Sequence, residues 1–423
     1  MAPNQESILN NYAKAVEVGA YEGYSLGRFG KQDYVRGYWE DRYTRRVLSS
    51  FMQRLVEHKK NLNQGIRVMD LGCGAGEGLS ILTTLLAGLP TLDAPIKKIL
   101  DHSDINFYKG VDISPAMIAK ARALHKNHSQ AEFVVADLNE GLPINSGDIP
   151  YDIYFSSYGS LSHLDNNAFK NLLQNICQHT SSSTIFVADL LGRYSYEWPC
   201  YWEDSNNTST GMQNYSMSYI YPPDIRPLRD IEIFPIRYWG AQELDKIVNE
   251  ITQSFGIQVE KHILCDRSIL VGRHMDTQEY NSQAPSLRAV INSLYESNTR
   301  TDLNALIFKY EPHPSFPSLN SFFQNLQNSW NTIVCETIEA LNQWKSIQLM
   351  EASTPISHQP YIQQCIRTIH HLIISAQNLH FDDPVANLIE PQLAYLLRDL
   401  EWNFQQGYGA SHSLLAIYQF RKK

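Results

Sequence analysis

A short segment of this chain, Ile66–Gly78, combines residues that could bind a nucleotide-like ligand. Its first residues are mostly apolar and lead to Asp70. A turn follows with glycines at alternate positions, Gly72, Gly74 and Gly76. Glycine has no Cβ and tolerates positive φ, so a ligand can approach the backbone of such a turn closely. An apolar helical pattern follows, and the segment therefore predicts a strand, a ligand-binding turn and a helix. In open α/β sheets, ligands bind at this end of the strands.

The spacing of the glycines argues against two common nucleotide-binding turns. A dinucleotide-binding turn needs glycine at its first, third and sixth positions, and the sixth position here is Glu77 or Leu79. The Gly-Lys-Ser/Thr ending of a phosphate-cradling loop is also missing. Glu77 would place a negative charge where a pyrophosphate should lie. A cationic or zwitterionic ligand suits this turn better.

Val68–Gly76 closely resembles the first motif of class I S-adenosylmethionine-dependent methyltransferases, and three more motifs follow in the order of that family. Tyr108–Arg122 is similar to the second strand and the helix after it, and Phe133–Leu138 is similar to the third strand. Tyr151–Leu164 resembles the fourth strand and the loop beside the reacting methyl group. The resemblance implies that S-adenosylmethionine is the cofactor and S-adenosylhomocysteine the product.

The same resemblance implies roles for individual residues. Asp112 would bind the ribose hydroxyls, and Asp137 would face the adenine amino group. Asp112 follows Asp70 at about twice the separation of about 20 residues that is usual in dinucleotide-binding units, and we assign the excess to a longer helix and a surface loop within 83–107. The other expected cofactor contacts are Asp70, Gly72, Cys73, Gly74, Gly76, Ile113, Leu138, Ser156 and Tyr38.

Methyl transfer from a sulfonium requires a nucleophile in line with the departing sulfur, so the protein contributes mainly proximity and orientation. His163, just beyond the predicted fourth strand, is the candidate general base, since the ordinary pKa of histidine lies near working pH. A structural histidine is the alternative interpretation. Tyr158 and Ser160 could orient the cofactor or the acceptor, and Asp189 is a weaker candidate. The candidate acceptor-binding residues are Trp39, Arg193, Trp198 and Trp239.

Residues 1–60 are predicted to form a helical lid. From residue 5 onward, their sequence pattern is helical and rich in aromatic residues. Methyltransferases of this family that act on small molecules cover the cofactor and the substrate with such a segment. We place Tyr38–Asp41 nearest to the ligand. An aromatic face stabilises a cation by about 0.5–2 kcal/mol, and a sulfonium is a cation. Ordinary packing between lid and core explains the same aromatic residues equally well.

The methyltransferase-like core is predicted to span 61–277, with an irregular aromatic insertion at about 190–235 that would help to form the acceptor pocket. Ile257–Glu260 and Ser268–Gly272 are predicted as its last two strands. Helical apolar faces follow within 278–423 and predict an all-α domain, although Ser413–Phe420 is β-prone and could be a final strand. The predicted fold is α/β, a Rossmann-like, doubly wound, seven-stranded and mostly parallel sheet with an N-terminal helical lid and an all-α C-terminal domain.

Composition and charge argue against membrane-spanning, secreted and nucleic-acid-binding classes of protein. The chain has 423 residues, of which 43% are hydrophobic, and a net charge of −9. No apolar run is long enough to span a bilayer, and the first residues lack the features of a secretory signal, so we expect a cytoplasmic protein. The absence of Lys/Arg-rich segments disfavours nucleic-acid binding.

Cysteine and histidine spacing predicts neither a disulfide framework nor a metal site. The six cysteines are scattered without a Cys-x-x-Cys pair. Four histidines of the helical region could suggest a metal site, but they lack the Glu-x-x-His spacing of metal sites in helical bundles. They are His358, His370, His371 and His380.

The leading hypothesis is S-adenosylmethionine-dependent methyl transfer to a small-molecule acceptor in specialised-metabolite biosynthesis. The acceptor would be free or tethered to a carrier protein. Two alternatives remain open, namely methylation of RNA or protein, and a cofactor-binding scaffold without catalysis. The helical domain could form a homodimer, cover the acceptor pocket or dock a partner, and the sequence does not choose among these roles.

Overall fold

The computed structural model describes residues 26–88, 97–145, 147–203, 211–218, 233–273, 280–345, 360–379 and 382–422, together with a few isolated positions. Several sequence interpretations lie outside these residues. They include most of the predicted helical pattern before residue 26, much of the aromatic insertion between 204 and 232, and the histidines His358 and His380.

A mostly parallel sheet forms the centre of the protein. The strands β3, β2, β1, β4 and β5 lie side by side in that order and are parallel. Strands buried on both faces of a parallel sheet are expected to be continuously apolar, and nearly every residue of β1, β4 and β5 is buried. The described strands are β1 (Ile66–Leu71), β2 (Ile105–Asp112), β3 (Ala131–Val135), β4 (Ile153–Ser156), β5 (Ser183–Gly192), β6 (Met212–Ser216), β7 (Ile233–Trp239), β8 (Ile257–Arg267) and β9 (Ser413–Lys422).

Helices cover both faces of this sheet, and their ends follow local capping signals. The Asp165 carboxylate accepts hydrogen bonds from the backbone N–H groups of Asn167 and Ala168 and so begins α4. Pro115 occupies the first turn of α3, as the sequence predicts. The helices are α1 (Asp41–Asn61), α2 (Glu77–Leu82), α3 (Pro115–Leu124), α4 (Asn166–His179), α5 (Ala241–Ser254), α6 (Leu287–Ser293), α7 (Pro317–Lys345), α8 (Pro360–Ala376) and α9 (Glu390–Phe404).

Strand β9 completes the sheet, although it follows all of these helices in sequence. It runs antiparallel between β5 and β8, with Leu191 opposite Ser413 and Ser183 opposite Arg421. Seven strands thus form the continuous order β3-β2-β1-β4-β5-β9-β8, and the β6–β7 hairpin joins the end of β5. The α/β class with a mostly parallel sheet is confirmed.

The predicted strand at Ser268–Gly272 is wrong. Its residues form bends, and the backbone N–H groups of Ile269, Leu270 and Val271 donate to the carboxylate of Glu401 on α9 at 2.8–3.3 Å. Because these groups bond to a side chain, they do not pair with a neighbouring strand. The β-prone segment near the C-terminal end, one of the two interpretations left open by the sequence, forms the strand that completes the sheet.

Helices α6 to α9 lie between β8 and β9 in chain order and share one hydrophobic core. That core also takes in Val35 and Trp39 from the N-terminal segment and Tyr196 and Trp202 from the insertion. The helical region therefore packs against the same segments that approach the ligand edge of the sheet. In the part of the chain that the structure describes, no helix is both long and apolar enough to cross a membrane.

Candidate active site

A cavity of about 1340 Å³, counted up to its open mouth, lies at the carboxyl ends of the parallel strands. The glycine turn, Asp112 and Asp137 line one end, while Asp189 and His412 line the other. The lining therefore runs without interruption from the cofactor motifs to Asp189 and His412.

The glycine turn after β1 is fixed against β2. The N–H groups of Gly72 and Cys73 both donate to the carbonyl oxygen of Val111, at 2.8 and 2.9 Å. Gly74 has a φ of +53°, and a Cβ built on it would meet no protein atom within 4 Å. The space in front of Gly74 is thus open for a ligand to approach the backbone.

Asp112, the last residue of β2, presents its carboxylate at the cavity wall. Its Oδ2 accepts a hydrogen bond of 2.9 Å from the N–H of Gly74, and its Oδ1 accepts one of 2.8 Å from the N–H of Ser114. Burial raises the pKa of Asp112, while these two donors act in the opposite direction. The side chain is therefore held in one orientation, with lone pairs left to accept hydroxyl donors.

Asp137 and an apolar wall follow along the same end of the cavity. The Oδ1 atom of Asp137 accepts hydrogen bonds from the backbone and the side-chain nitrogens of Asn139, at 2.9 and 2.7 Å. Ile113, Met117 and Leu138 line the cavity beside it. A planar base could lie against these apolar side chains while polar atoms meet the carboxylate.

Four of the predicted cofactor contacts lie outside the cavity lining. Asp70 is fully buried beneath the turn, where its Oδ2 accepts a hydrogen bond from Tyr108, and desolvation raises its pKa to about 7. Gly76 begins α2 with its backbone against His125, and Ser156 is buried in β4. Tyr38 turns away and contacts other tyrosines of the helical region. Its ring neighbours are Tyr34, Tyr295 and Tyr395.

Charged residues of the N-terminal segment, rather than its aromatic residues, line the cavity. Arg36 and Lys31 contact the carboxylate of Glu77 at the start of α2, at 2.9 and 3.2 Å. The Arg36 guanidinium also lies 4.0 Å from the ring centre of Tyr158, whose hydroxyl donates to Asp41 at 2.6 Å. Burial alone would raise the pKa of Glu77, but the charges of Arg36 and Lys31 outweigh it and lower that pKa to about 2. These ion pairs fasten the segment onto the glycine turn.

The four predicted acceptor-binding residues are buried and lie outside the cavity lining. Each has a structural role. Trp39 donates from Nε1 to the Tyr295 hydroxyl at 2.9 Å, and Trp198 donates to the carbonyl oxygen of Gly192 at 2.8 Å. Arg193 pairs with Glu243 at 2.7 Å, and the ring of Trp239 lies 4.4 Å from that of Phe169. Large aromatic side chains gain most by full burial, and this explains their place in the core.

The far end of the cavity carries His163 and a set of paired charges. The ring of His163 packs 5.1 Å from that of Phe234, and desolvation lowers its pKa to about 4. Asp189 accepts hydrogen bonds of 2.8 Å from the N–H of Tyr158 and from Arg267. The ion pairs here are Arg267–Asp189, Arg273–Glu40 and His412–Glu197, and each of these residues except Glu197 lines the cavity.

The sequence did not single out Arg267, Arg273, Glu197 or His412 as site residues. One feature of the sequence could have predicted that His412 lies at the cavity. An antiparallel strand beside β5 must begin where β5 ends, and β5 ends at the ligand edge of the sheet. Had Ser413–Phe420 been placed beside β5, the residue before Ser413 would have fallen at the cavity.

Comparison with known families identifies the domain. Residues 97–182 match the family model described as a methyltransferase domain. Over this segment the chain is similar to methyltransferase domains, in agreement with the class I S-adenosylmethionine-dependent resemblance of its motifs. The matched residues include Asp112 and Asp137 and end just before β5. The open space in front of Gly74 and the fixed carboxylate of Asp112 fit S-adenosylmethionine, the cofactor that the sequence motifs imply.

The solved structures that are similar to this chain are distant. The CcbJ methyltransferase from Streptomyces caelestis is 16% identical over 50% of this chain and 80% of its own, with a TM-score of 0.31. The magnesium protoporphyrin IX methyltransferase ChlM from Synechocystis PCC 6803, with bound SAH, is 11% identical over 62% and 92%, with a TM-score of 0.35. The [4+2]-cyclase SpnF is 12% identical over 100% and 97%, with a TM-score of 0.37. At TM-scores below 0.5, these likenesses carry no argument about activity or substrate. No curated protein matches the sequence.

Proposed function

We propose that the protein transfers a methyl group from S-adenosylmethionine to a small organic acceptor held in the same cavity. The observation that carries this proposal is the continuity of the cavity from Gly74 and Asp112 to Asp189 and His412. A displacement reaction is fast when both reactants are held at contact distance in one orientation, which can be worth several kcal/mol. One cavity with a cofactor end and a polar far end provides that arrangement.

The residues of the chain would act by binding and orientation. Asp112 would accept hydrogen bonds from the ribose hydroxyls, and Asp137 would meet the adenine. When bound, the cofactor supplies an electrophilic methyl group on a sulfonium, whose sulfur is a good leaving group. Ser160 donates to the carbonyl oxygen of Gly72 at 2.8 Å, so the loop after β4 and the glycine turn are joined at the centre of the cavity.

The charges along the cavity favour a small acceptor over a nucleic acid. Arg36, Arg267 and Arg273 each pair with a carboxylate, on Glu77, Asp189 and Glu40 respectively. A phosphate backbone is bound by basic side chains that exchange counterions for phosphates, and cations already paired in this way are poorly suited to it. The net charge of −9 points in the same direction.

The N-terminal segment also supports a small acceptor. Lys31, Arg36 and Glu40 of the N-terminal segment line the cavity together with residues of the core. A compact molecule, either free or carried on the flexible arm of a carrier protein, could enter past this segment. We propose that this acceptor is a specialised metabolite, as in the hypothesis made from the sequence.

Two experiments test the proposal. Isothermal titration with S-adenosylmethionine and S-adenosylhomocysteine measures cofactor binding directly. Incubation with methyl-labelled S-adenosylmethionine and a host extract, fractionated into metabolites, protein and RNA, then shows which class gains the label. We expect the label in the metabolite fraction, and the Asp112→Ala variant serves as a control with weakened cofactor binding. Label in RNA or protein would support the alternative substrates, and binding without transfer to any fraction would support a scaffold.

A further inference from the structure

Among the described residues, two histidines line the cavity, and their surroundings differ. His163 packs against Phe234, and burial lowers its pKa to about 4, so it is neutral and weakly basic at physiological pH. His412 instead faces a carboxylate, with its Nδ1 atom 2.5 Å from Oε2 of Glu197. Both members of this pair are almost completely buried. The pair therefore lies in a medium in which electrostatic interactions are stronger than in water.

The Glu197 carboxylate is placed by close packing. It lies against the Cα of Gly272, where an added Cβ would come within 2.1–2.2 Å of carboxyl atoms. Its own backbone N–H donates to the hydroxyl of Ser195 at 3.2 Å. A side chain held this tightly keeps the histidine ring in one orientation.

The backbone around His412 is equally well fixed. The His412 N–H donates to the carbonyl oxygen of Ser268 at 3.0 Å, and the His412 carbonyl accepts from the N–H of Gly192 at 3.2 Å. The buried carboxylate of Asp266 accepts hydrogen bonds of 2.8–2.9 Å from three successive N–H groups of residues 408–410. The ring of His412 packs 5.4 Å from that of Trp198. Rigid support of this kind is what a proton-transferring group requires.

We propose that His412 is the general base that deprotonates the acceptor, and that Glu197 positions and stabilises its ring. This inference rests on the proposed methyl transfer. It implies that the acceptor is a compound that is methylated on a hydroxyl group. A carboxylate acceptor is already ionised at working pH and needs no base. A hydroxyl group carries a proton that must leave as its oxygen attacks, so it needs one.

The proton-transfer step follows from the tautomer. A carboxylate on Nδ1 favours the Nδ1–H form of the ring and makes Nε2 the basic nitrogen. The acceptor O–H bond breaks as its proton moves to Nε2, and the electron pair stays on oxygen. That oxygen forms a bond to the methyl carbon, while the carbon–sulfur bond breaks with its electron pair remaining on sulfur. The products are the methyl ether, S-adenosylhomocysteine and an imidazolium that releases its proton after turnover.

The charges that face His412 from its neighbours are compatible with this cycle. Glu197 carries the negative charge opposite the imidazolium. The backbone N–H of Arg273 also points at Nδ1, but at 3.4 Å it is a much longer contact than the Glu197 carboxylate at 2.5 Å. The Arg273 guanidinium is paired with Glu40 at 3.0 Å. Glu40 also binds Arg288 at 2.8 Å, so its charge is shared between two arginines. The carboxylate nearest to the ring is therefore that of Glu197.

The test uses His412→Gln, His412→Ala, Glu197→Gln and, as a matched control, His262→Asn. His262 is an exposed histidine on β8 that faces Asp245 at 3.9 Å, away from the cavity. With labelled S-adenosylmethionine and the acceptor recovered from the extract, we expect His412→Gln to lower kcat by about 10²–10⁴-fold and to leave the cofactor Kd unchanged. Added imidazole should partly restore the rate of His412→Ala. The His262→Asn variant should match the wild type.

Glu197→Gln separates positioning from folding because it keeps the volume of the side chain. We expect a lower kcat with an unchanged cofactor Kd. In the cofactor-free protein, 15N NMR of labelled histidine should show the Nδ1–H tautomer at His412, and this signature should be lost in Glu197→Gln. An unchanged kcat in His412→Gln, or an Nε2–H tautomer in the wild type, would overturn the inference while leaving methyl transfer intact. Absence of label transfer by the wild type would overturn the proposed function and this inference together.

Discussion

The guanidinium of Arg288 binds the carboxylate of Asp33 through two hydrogen bonds, 2.6 and 2.7 Å long, between residues 255 positions apart. Asn292, one turn later on α6, donates to the same carboxylate at 3.0 Å and accepts from the N–H of Val35 at 2.9 Å. The same arginine reaches Glu40 at 2.8 Å. Helix α6 thus holds the N-terminal segment that carries Lys31 and Arg36 into the cavity.

Replacement of Arg288 by leucine should therefore affect both stability and ligand binding. The change leaves Asp33 buried without its charged partner, and breaking a buried ion pair costs about 3–5 kcal/mol. We also expect S-adenosylmethionine to bind at least about tenfold more weakly, because the N-terminal segment would lose its anchor. Urea unfolding and isothermal titration measure the two effects.

The control for this change is Arg300→Leu. Arg300 pairs with Asp383 at 2.6 Å, but its side chain is about half exposed, and exposed pairs are worth only about 0–1 kcal/mol. A destabilised Arg288→Leu protein with unchanged cofactor affinity would show that α6 does not support the cofactor site.

Asp112→Ala should weaken binding of S-adenosylmethionine at least tenfold, which corresponds to about 1.4 kcal/mol. The change removes the proposed ribose contact and also the two hydrogen bonds that fix the glycine turn to the end of β2. Isothermal titration gives the Kd. Asp399→Ala is the matched control, since Asp399 is about half exposed and pairs with the neighbouring Arg398. Equal affinity in the two variants would remove Asp112 from the cofactor site.

Lys31 should make stability depend on pH above neutrality. Burial lowers the pKa of Lys31 from 10.5 to about 7, although Glu77 raises it. Between these values the unfolded chain binds a proton that the folded protein lacks, so the free energy of unfolding rises with pH, by up to about 1.4 kcal/mol per unit. Lys31→Met should flatten this slope when urea unfolding is compared at pH 7.5 and 9.5. Lys98→Met, at an exposed position, should retain the wild-type slope, and identical slopes in all three proteins would contradict the assignment.

Gly192→Ala should disturb the loop that carries His412. A Cβ on Gly192 would lie 2.3 Å from the carbonyl oxygen of Ser411 and 2.7 Å from that of Gly409, and overpacking of this kind costs about 1–3 kcal/mol. We expect kcat to fall more than cofactor affinity, because the displaced loop is at the far end of the cavity. Gly27→Ala is the control, since a Cβ there meets no atom within 4 Å. A Gly192→Ala enzyme with normal kcat would show that the loop tolerates displacement.

The parts of the fold that the sequence predicted are those specified by local patterns. The strand and turn at Ile66–Gly76, the helix that begins at Pro115 and the helix after Asp165 each carry their own apolar period and capping residue. The strand at Ser413 was left undecided because its partners, β5 and β8, are distant in sequence. Pairing over such distances is decided by tertiary context, which a single sequence does not show.

The residues of the site were predicted less completely, for a related reason. Trp39 was expected at the ligand because it is aromatic and lies in the lid segment, but it packs against Trp330 of α7. Arg36 and Glu40, its close neighbours, face the cavity instead. Their charges are balanced by Glu77, Arg273 and Arg288, and no local spacing connects these residues. The sequence thus located the cofactor end through motifs, while most of the far end depends on distant ion pairs.

The position of β9 has a consequence for biosynthesis. Residues 413–422 leave the ribosome only after the whole helical region has been made, so β5 keeps one edge unpaired throughout that time. An open strand edge is a template for pairing with other chains, and contacts between residues far apart in sequence form slowly. The nascent protein must therefore protect an apolar strand edge during most of its translation, and the yield of folded enzyme should depend on how quickly β9 reaches its place.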